Sequence, residues 1–338
     1  MKFRSPSILA RALHGFFTDY LPIQRAMSPH TLQSYRDSLK LLLQFAAGKR
    51  QDPSGLTVEQ LSVERITTFL NHLEIGRKNQ ICTRNIRLSA IHSFFRYLGG
   101  QFPEYLAQVQ RVLDIPFKRG NKRQVQYLEF SEIQAVLRAI DRSTHDGRRD
   151  FCLLNLMFNT GARVSEIVGI RAADLRLTSP SSVLLRGKGR RERICPLWPE
   201  TAQLLNIHLE ENGVDPNRPE VIFRNHCGAP LTRFGVRVIL RKYIQRATQH
   251  APTLKTKRLH PHCMRHSTAV YLLRAGIDLS TIAHWLGHAS PNTTNIYLSV
   301  DMEAKREALA KIKPLVRANR RQHAWRRDPD LLAWLESL

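Results

Sequence analysis

The sequence predicts a mainly α-helical protein with a small β-sheet, divided into two domains. Its 338 residues are more than twice the roughly 150 of a typical domain. Apolar residues recur at helical spacing along most of the chain, and one pair of short strand-like runs interrupts them. With 42% hydrophobic residues but only 17 Gly and 17 Pro, the chain can bury sizeable cores. This composition excludes wholesale disorder and collagen-like or low-complexity structure.

Residues 1–113 are predicted to form a helical domain. Ser28 is typical of an N-cap and Pro29 of a first helical residue, so a helix is expected to begin there. Another helix is expected over Thr83–Leu98, ended by the glycine pair 99–100. Its apolar stripe is broad, as in the central helix of a small bundle. The stripe consists of Ile86, Ala90, Ile91, Phe94, Phe95 and Leu98.

A linker is predicted over residues 114–126, where the helical pattern lapses. Basic linkers commonly lie along a phosphate backbone. The second domain is then expected over residues 127–313, followed by a C-terminal tail over residues 314–338. The linker contains proline, glycine and four positive charges, Lys118, Arg119, Lys122 and Arg123.

The second domain is predicted to be helical around one β-hairpin. Two helical segments come first, at Ser131–Ile140 and Asp150–Asn159, and Thr160-Gly161 stops the second. Strand-like runs at Val183–Arg186 and Arg193–Leu197 flank a glycine-containing basic turn, which is typical of a hairpin with a positively charged tip. Helices resume at Glu200–Asn212, Thr232–Thr248, Met264–Ala275 and Ser280–Leu286.

The charge of the chain indicates a polyanionic partner. Lys and Arg number 52 and Asp and Glu 28, which gives a formal charge of +24. Such a chain repels itself unless a polyanion neutralises it, so nucleic acid is the favoured partner and an anionic membrane surface the weaker alternative. Five scattered cysteines without a C-x-x-C pair argue against a disulfide framework. Since neither a signal peptide nor about 18 consecutive apolar residues occur, we expect a soluble intracellular protein without a membrane span.

Several familiar catalytic motifs are absent. The chain has no G-x-x-x-x-G-K-[ST], H-E-x-x-H or G-x-S-x-G, and the G-x-G at 187–189 lacks the rest of a dinucleotide fingerprint. The group His260, His262, Cys263 and His266 could imitate a zinc site, but its ligands are crowded and no second ligand pair has conventional spacing. A two-metal nuclease is disfavoured because it needs several convergent carboxylates. We therefore predict no metal and no cofactor.

A set of cations and one tyrosine remains. Arg163 follows a Thr-Gly turn and begins a helix, where backbone N–H groups also favour an anion. Each residue of the set is weak alone, because a lone arginine is more often a solvated salt-bridge partner and a lone tyrosine more often part of a core. The full set is Arg163, Lys188, His262, Arg265, His288 and Tyr297.

Four stretches carry a family resemblance. They are residues 160–166 (TGARVSE), 187–193 (GKGRRER), 262–266 (HCMRH) and 286–297 (LGHASPNTTNIY). Together they resemble the tyrosine recombinase (phage integrase) family, and the resemblance covers essentially the whole chain. It implies a two-domain, C-shaped clamp in which the first domain is a helical, SAM-like core-binding domain and the second is an α+β catalytic domain.

The resemblance implies the roles of the matching positions. In such enzymes a tyrosine oxygen, here that of Tyr297, attacks a DNA phosphodiester, which forms a 3′-phosphotyrosine and releases a 5′-hydroxyl. The transition state gathers negative charge on two non-bridging oxygens. Arg163 and Arg265 can each present a planar fork of donors to those oxygens, and His288 would add a hydrogen bond.

Proton transfers are expected from the remaining positions. His262 is the expected proton acceptor or relay near the tyrosine, and Lys188 on the hairpin is the expected general acid for the leaving alkoxide. Glu166 is expected either to orient its neighbours or to form a structural salt bridge. Because the covalent bond stores the energy of the phosphodiester, rejoining needs neither ATP nor a metal.

Basic residues elsewhere are predicted to contact double-stranded DNA, with a merely solvated basic surface as the alternative. Arginines recur every fourth residue along the Thr232–Thr248 helix, where like charges destabilise a free helix and phosphates would relieve them. The predicted contacts are Arg84, Arg87, Lys118, Arg119, Lys122, Arg123, Arg233, Arg237, Arg241, Lys255, Lys257 and Arg258.

The tail over residues 314–338 is basic and then amphipathic. In relatives of this kind a C-terminal helix docks on the neighbouring protomer, so the resemblance favours docking in trans over packing on its own domain. It implies a homodimer on each core site and a tetramer in the synapse, with accessory DNA-bending proteins as further partners.

The resemblance implies a site-specific DNA recombinase of a mobile element that acts in integration, excision or transposition. The expected location is the prokaryotic cytoplasm, in association with the nucleoid. Dimer resolution uses the same residues, so the sequence does not separate it from element integration. Two alternatives stay open: a DNA-relaxing enzyme of the type IB topoisomerase kind, and a non-catalytic DNA-binding protein with the same fold.

Overall fold

The structure is a computed structural model that describes residues 7–48, 52–120, 125–187, 191–215, 219–287 and 294–297. It divides into two compact units, Met1–Arg123 and Gln124–Leu338, and the division falls inside the predicted linker. None of the helices in the described ranges combines the length and the apolar character that crossing a membrane requires.

The first unit is a bundle of helices around α4, as predicted for this helix. Helix α4 packs on the four other helices of the unit, and its apolar side chains from Leu88 to Leu98 are buried. Ser28 caps α2 as predicted, since its side chain accepts a hydrogen bond from the N–H of Thr31. The helices are α1 (Ile8–Gly15), which continues as a π-helical segment (Phe16–Gln24), α2 (Pro29–Ala47), α3 (Val63–Ile75), α4 (Ile81–Gln101) and α5 (Leu106–Leu113).

Two predictions about α4 are wrong. The helix does not stop at its glycine pair but continues to Gln101, because Gly99 is the place where α5 approaches α4. A Cβ atom on Gly99 would lie 3.2 Å from Cγ1 of Val109, so the glycine permits close packing instead of ending the helix. Ile86 is 47% exposed and therefore does not belong to the buried stripe.

The second unit is mainly helical with one small antiparallel sheet of order β1-β2-β3. The predicted hairpin is confirmed, with Val183 of β2 opposite Cys195 of β3, and the short strand β1 is an addition to the prediction. The elements are α6 (Phe130–Arg138), α7 (His145–Thr160), α8 (Val164–Ile167), β1 (Leu175–Arg176), β2 (Ser182–Arg186), β3 (Glu192–Pro196), α9 (Pro199–Glu211), α10 (Arg233–Ala247), α11 (Pro261–Arg274), α12 (Leu279–Leu286) and a 3₁₀ turn (Asn295–Tyr297).

Helix α7 lies in the core of the second unit, where it packs against α6, α8, α9 and α11. It ends at Gly161, as predicted, and this residue adopts the left-handed conformation with φ 58°. A Cβ atom there would lie 2.6 Å from Cδ2 of Leu286, so only glycine fits. The turn brings the end of α7 against the end of α12, and the residues that follow Gly161 begin the site described next.

Candidate active site

Three arginines converge on the last turn of α12. The backbone carbonyls of three consecutive residues, 285–287, each accept a hydrogen bond from a different guanidinium. Arg193 donates from Nε to the first at 2.8 Å, Arg265 from Nη2 to the second at 2.5 Å, and Arg163 from Nη2 to the third at 3.2 Å. Carbonyls at a helix C-terminus have no partner within the helix and carry partial negative charge. The end of α12 therefore binds cationic side chains favourably.

Gly287 ends α12 in the left-handed conformation, with φ 65°. A Cβ atom on this residue would lie 3.0 Å from Nη1 of Arg193. The glycine of the L-G-H stretch is thus needed both for its backbone angle and for the close approach of the arginine.

Glu166 neutralises part of this charge. Its side chain is 1% exposed, and its two oxygens accept four hydrogen bonds. Oε1 accepts from Nη1 of Arg163 at 2.8 Å and Nη1 of Arg193 at 3.1 Å, and Oε2 accepts from Nη2 of Arg193 and the backbone N–H of Arg163, both at 2.8 Å. Burial by itself would raise the pKa of Glu166, but the bonds and charge of Arg193, with the contribution of Arg163, hold it below its ordinary value. The group is therefore ionised at neutral pH.

Arg265 lies on α11 and is 2% exposed. Besides the α12 carbonyl, it donates from Nη1 to the carbonyl of Gly161 at 2.9 Å, so one guanidinium joins the ends of α7 and α12. Burial lowers the pKa of Arg265 to about 10, and the charge of Arg163 acts in the same direction. The side chain nevertheless stays cationic at neutral pH, because this value lies well above 7.

Tyr297 lies beside these cations. It is 1% exposed and packs with Ala269, Ile282 and Leu286 in a small apolar cluster. Burial raises the pKa of Tyr297 to about 12, whereas the charges of Arg265 and Arg163 act in the opposite direction. The hydroxyl therefore lies within the electrostatic field of both guanidiniums, which is what a nucleophile attacking a phosphate held by them requires.

Two histidines of α11 complete the described part of the site. The ring of His262 stacks on that of His266, with centroids 5.9 Å apart, and Nδ1 of His266 forms a hydrogen bond of 2.9 Å with the hydroxyl of Tyr297. Burial lowers the pKa of His262, and the charge of Arg265 adds to this effect, so its ring is neutral at pH 7.

Sequence reasoning missed Arg193 and His266 as members of the site. Signals for both exist in the sequence. Arg193 lies two residues before the buried Cys195 on β3, and residues two apart on a strand share one face of the sheet. His266 is four residues after His262 and so lies on the same face of α11.

Lys188 and His288 lie outside the described residues, but the glycine before each lies at the cluster. A Cβ atom on Gly187 would be 3.0 Å from Oε1 of Glu166, and Gly287 offers its carbonyl to an arginine. The roles of these two residues stay predictions.

The two predicted DNA contacts on α4 both form hydrogen bonds within the first unit. Arg84 is 4% exposed, donates to the carbonyl of Pro116 at 2.9 Å and pairs with Glu74 at 3.6 Å. Arg87 is half-buried and donates to the hydroxyl of Ser38 at 2.9 Å. Arg84 is therefore removed from the DNA-contact set, because Glu74 compensates its charge and its guanidinium stabilises the chain segment after α5.

Two of the predicted lysine contacts are engaged in ion pairs. Lys118 pairs with Glu74 at 2.8 Å, and Lys257 is half-buried and pairs with Glu132 at 2.6 Å. Lys122 and Arg123 lie outside the described residues. The exposed residues of the set are Lys118, despite its ion pair, Arg119, Arg233, Arg237, Arg241, Lys255 and Arg258.

The exposed face of α10 is basic with apolar residues between the charges. Arg233, Arg237 and Arg241 share it with Phe234, which is 72% exposed, and Val238, which is 38% exposed. The opposite face is buried as predicted, through Val236, Ile239, Leu240 and Tyr243.

The basic face of α10 reaches toward the start of α11. Burial lowers the pKa of His260, and the charge of Arg237 contributes to the same shift. The ring of His260 lies 6.3 Å from that of His262. The basic helix face and the arginine cluster thus lie in one continuous region of the second unit.

This arrangement can hold a phosphate and present a tyrosine oxygen to it. Rigid guanidiniums with fixed acceptors are preorganised donors for an oxyanion. Within the described ranges, no group of three or more His, Cys, Asp or Glu side chains is placed to hold a metal ion.

Comparisons with known proteins give a consistent result. Residues 126–304 match the model of the phage integrase family, and residues 16–101 match that of the phage integrase N-terminal SAM-like domain. A Sinorhizobium fredii protein, y4rC, described as an integrase/recombinase, is 42% identical over 333 residues, covering 98% of each chain. The tyrosine recombinase XerC of Oceanobacillus iheyensis is 30% identical over 312 residues, covering 90% of this chain and 96% of the relative.

Solved structures share the fold. A structure of the XerH site-specific recombinase bound to a palindromic difH substrate superposes with a TM-score of 0.66 at 22% identity, covering 85% of this chain and 81% of that one. The Tn1549 transposon integrase in complex with transposon right-end DNA gives a TM-score of 0.64 at 15% identity, covering 88% and 98%. The predicted fold class, mainly α with a small sheet, is confirmed.

Proposed function

The chain belongs to the phage integrase family, and from this premise we propose that it is a site-specific DNA recombinase of the tyrosine class. Such an enzyme cuts and rejoins double-stranded DNA through a covalent bond between a tyrosine and a phosphate. The observation that carries the proposal for this chain is the position of Tyr297, whose buried hydroxyl lies in the field of Arg163 and Arg265.

In the proposed reaction, Oη of Tyr297 attacks the phosphorus of a scissile phosphodiester. Arg163 and Arg265 bind the two non-bridging oxygens, where the transition state gathers charge. Both keep their orientation because their guanidiniums are anchored on backbone carbonyls, so little reorganisation is needed when DNA arrives. The bond from phosphorus to the 5′ oxygen breaks, which leaves a 3′-phosphotyrosine and a 5′-hydroxyl, and rejoining is the reverse.

The proton and hydrogen-bond roles of the other predicted residues complete this scheme. Lys188 is proposed as the general acid that protonates the leaving 5′ oxygen, and His288 as a further donor to the phosphate. Glu166 orients Arg163 and joins it to Arg193 through the shared carboxylate.

The basic face of α10 is proposed to bind DNA beside the site. Three exposed arginines at four-residue spacing repel one another in the free helix, and phosphates would neutralise them. Lys255 and Arg258 are exposed cations of the same unit that extend the surface available for such contacts, and Arg119, in the first unit, is proposed as a separate DNA contact.

We place the biological role in the movement of a mobile element, by integration, excision or transposition, because the relative with 42% identity is described as an integrase/recombinase. The relaxing enzyme and the non-catalytic DNA-binding protein are not favoured, because the relatives named above are recombinases. On the same footing we propose a dimer on each core site and a tetramer in the synapse. The tail over residues 314–338 is proposed to dock in trans, with DNA-bending proteins assisting at the nucleoid of a bacterial cytoplasm.

The test begins with selection of a binding site from a pool of random-sequence duplexes. The selected site is then placed in a nicked duplex that loses a short fragment upon cleavage and so traps the covalent complex. Wild-type protein is expected to retain the label at the 5′ end of the cut strand through a denaturing gel, and Tyr297→Phe is expected to bind the duplex equally well without retaining it. The matched control Tyr271→Phe, on α11, is expected to retain the label. Retention by the Tyr297→Phe variant would overturn the assignment of the nucleophile.

A further inference from the structure

The proton that the tyrosine hydroxyl must lose belongs to a buried side chain. Tyr297 is 1% exposed, and its burial raises the pKa of the phenol to about 12. Attack on phosphorus is therefore slow unless a neighbouring group takes the proton as the oxygen begins to bond. A base within hydrogen-bond distance of the oxygen can take this proton directly.

His266 meets this requirement. Its Nδ1 atom lies 2.9 Å from Oη of Tyr297, and the two rings are adjacent, with centroids 5.7 Å apart. His266 directly follows Arg265 on α11, so the helix that holds the phosphate-binding guanidinium also holds this imidazole. One element thus sets the distance between the two groups that the attack needs.

His262 is placed differently. It lies one turn earlier on α11, with its ring stacked against His266 at 5.9 Å and a tilt of 22°. Because the rings stack, the faces of the two imidazoles are directed at each other. In addition to burial, the charges of Arg265 and Arg163 lower the pKa of His262, so His262 lies close to the phosphate-binding groups. Among the contacts of the described residues, the hydrogen bond to the nucleophile is the one from His266.

We propose that His266 is the catalytic base that removes the proton from Tyr297; this rests on the recombinase function proposed above. The Oη–H bond breaks as the bond from Oη to phosphorus forms, and the proton passes to Nδ1 of His266. The bond from phosphorus to the 5′ oxygen breaks, and that oxygen takes a proton from the general acid. In rejoining, the 5′-hydroxyl attacks the phosphotyrosine, and His266 returns its proton to Oη.

The test separates attack by the nucleophile from departure of the leaving group. Two nicked duplexes carry the selected site, one with the natural 5′ oxygen at the cut and one with sulfur in its place. A departing thiolate needs no proton, because a thiol has a pKa of about 8.5, so the sulfur substrate relieves defects on the acid side alone. The rate of covalent complex formation is measured for each duplex in a single turnover.

His266→Asn is the decisive variant, since its amide oxygen can replace Nδ1 as a hydrogen-bond acceptor but cannot take up the proton. We expect the rate to fall roughly 100-fold or more, the range of general base catalysis, by a similar factor on both duplexes, with unchanged DNA binding. The matched variant His262→Asn is expected to lose less than His266→Asn on the sulfur duplex. Melting temperatures verify folding, and His266→Gln is measured in the same way should the Asn variant not fold.

Three outcomes would overturn the inference. A wild-type rate for His266→Asn would show that the contact only positions the hydroxyl. Recovery of its rate on the sulfur duplex would assign His266 to the leaving group. A larger loss on the sulfur duplex for His262→Asn would assign the base to His262. If the wild-type protein forms no covalent complex with either duplex, the recombinase proposal fails instead.

Discussion

Glu166→Gln tests whether one buried carboxylate maintains the arginine cluster. The substitution preserves shape but removes the charge. The two oxygens of Glu166 each accept two hydrogen bonds, from Arg163 and Arg193. Whichever oxygen becomes nitrogen, two of these four bonds are lost, and an N–H group then faces other donors.

The magnitude follows from that count. Hydrogen bonds to charged groups contribute about 1.5–3 kcal/mol each, so two of them amount to about 3–6 kcal/mol. Breaking a buried ion pair from one side costs about 3–5 kcal/mol, and the side chains of Glu166 and Arg193 are only 1% and 12% exposed. We therefore expect the free energy of unfolding to fall by about 3–5 kcal/mol at pH 7. For a unit of this size the melting temperature should fall on the order of 10 °C.

The effect should depend on pH with a definite sign. The pKa of Glu166 is held below its ordinary value in the folded protein, so the stabilisation by its charge is complete above the unfolded value of about 4.3. It is lost as the pH falls through the folded value. The difference between wild type and Glu166→Gln should therefore be constant from pH 7 to about 5.5 and should shrink below about 4.3.

Urea unfolding at several pH values measures both features. The matched control is Glu192→Gln on β3, directly before Arg193, since the carboxylate of Glu192 is 53% exposed and pairs with Arg186. An exposed pair contributes about 0–1 kcal/mol, so this variant should change stability by less than that. The reasoning is refuted if Glu166→Gln loses no more than Glu192→Gln at pH 7, or if its deficit persists unchanged into acid.

Two further predictions concern the end of α12 and the basic face of α10. Gly287→Ala should cost about 1–2 kcal/mol of backbone strain and slow cleavage at least tenfold, because its Cβ atom would displace Arg193. Gly276 has φ 83°, and a Cβ atom added there would meet no atom within 4 Å, so Gly276→Ala should cost similar strain without slowing cleavage. Equal cleavage rates for the two glycine variants would contradict this reasoning. Arg237→Ala should reduce the slope of the logarithm of the DNA-binding constant against the logarithm of the salt concentration by about 0.9. Titration of the selected duplex at several salt concentrations measures this slope, and the control Arg142→Ala should leave it unchanged. An unchanged slope for Arg237→Ala would count against a phosphate contact.

Features with local causes could be predicted from the sequence. Gly161 ends α7 because its left-handed backbone needs glycine, and a Thr-Gly pair after a helical run signals this directly. The hairpin and the buried face of α10 follow from spacing alone. The resemblance supplied what spacing could not, namely that Arg163, Arg265 and Tyr297 act together.

Features with distant causes could not be predicted. Arg84 is buried because it pairs with Glu74 and donates to Pro116, 32 residues later, and nothing near Arg84 in the sequence reports those partners. The glycine pair 99–100 is a local signal for a helix end, and here it gives the wrong prediction. Gly99 is instead the place where α5 packs closely on α4. The inward direction of Arg193 could be read from its spacing to Cys195, but its partner Glu166, 27 residues earlier, could not.

The convergence of three guanidiniums would be unstable if charge alone governed it. One carboxylate cannot neutralise three cations, but the last turn of α12 supplies three carbonyls, and Gly161 at the end of α7 supplies a fourth. These acceptors fix the guanidiniums without cancelling their charge, since carbonyls carry only partial charges. Arg163 keeps 30% of its side chain exposed, so the cluster retains a net positive charge and an accessible edge. A phosphate fits such a cluster, because it supplies the negative charge that the surrounding protein groups do not provide.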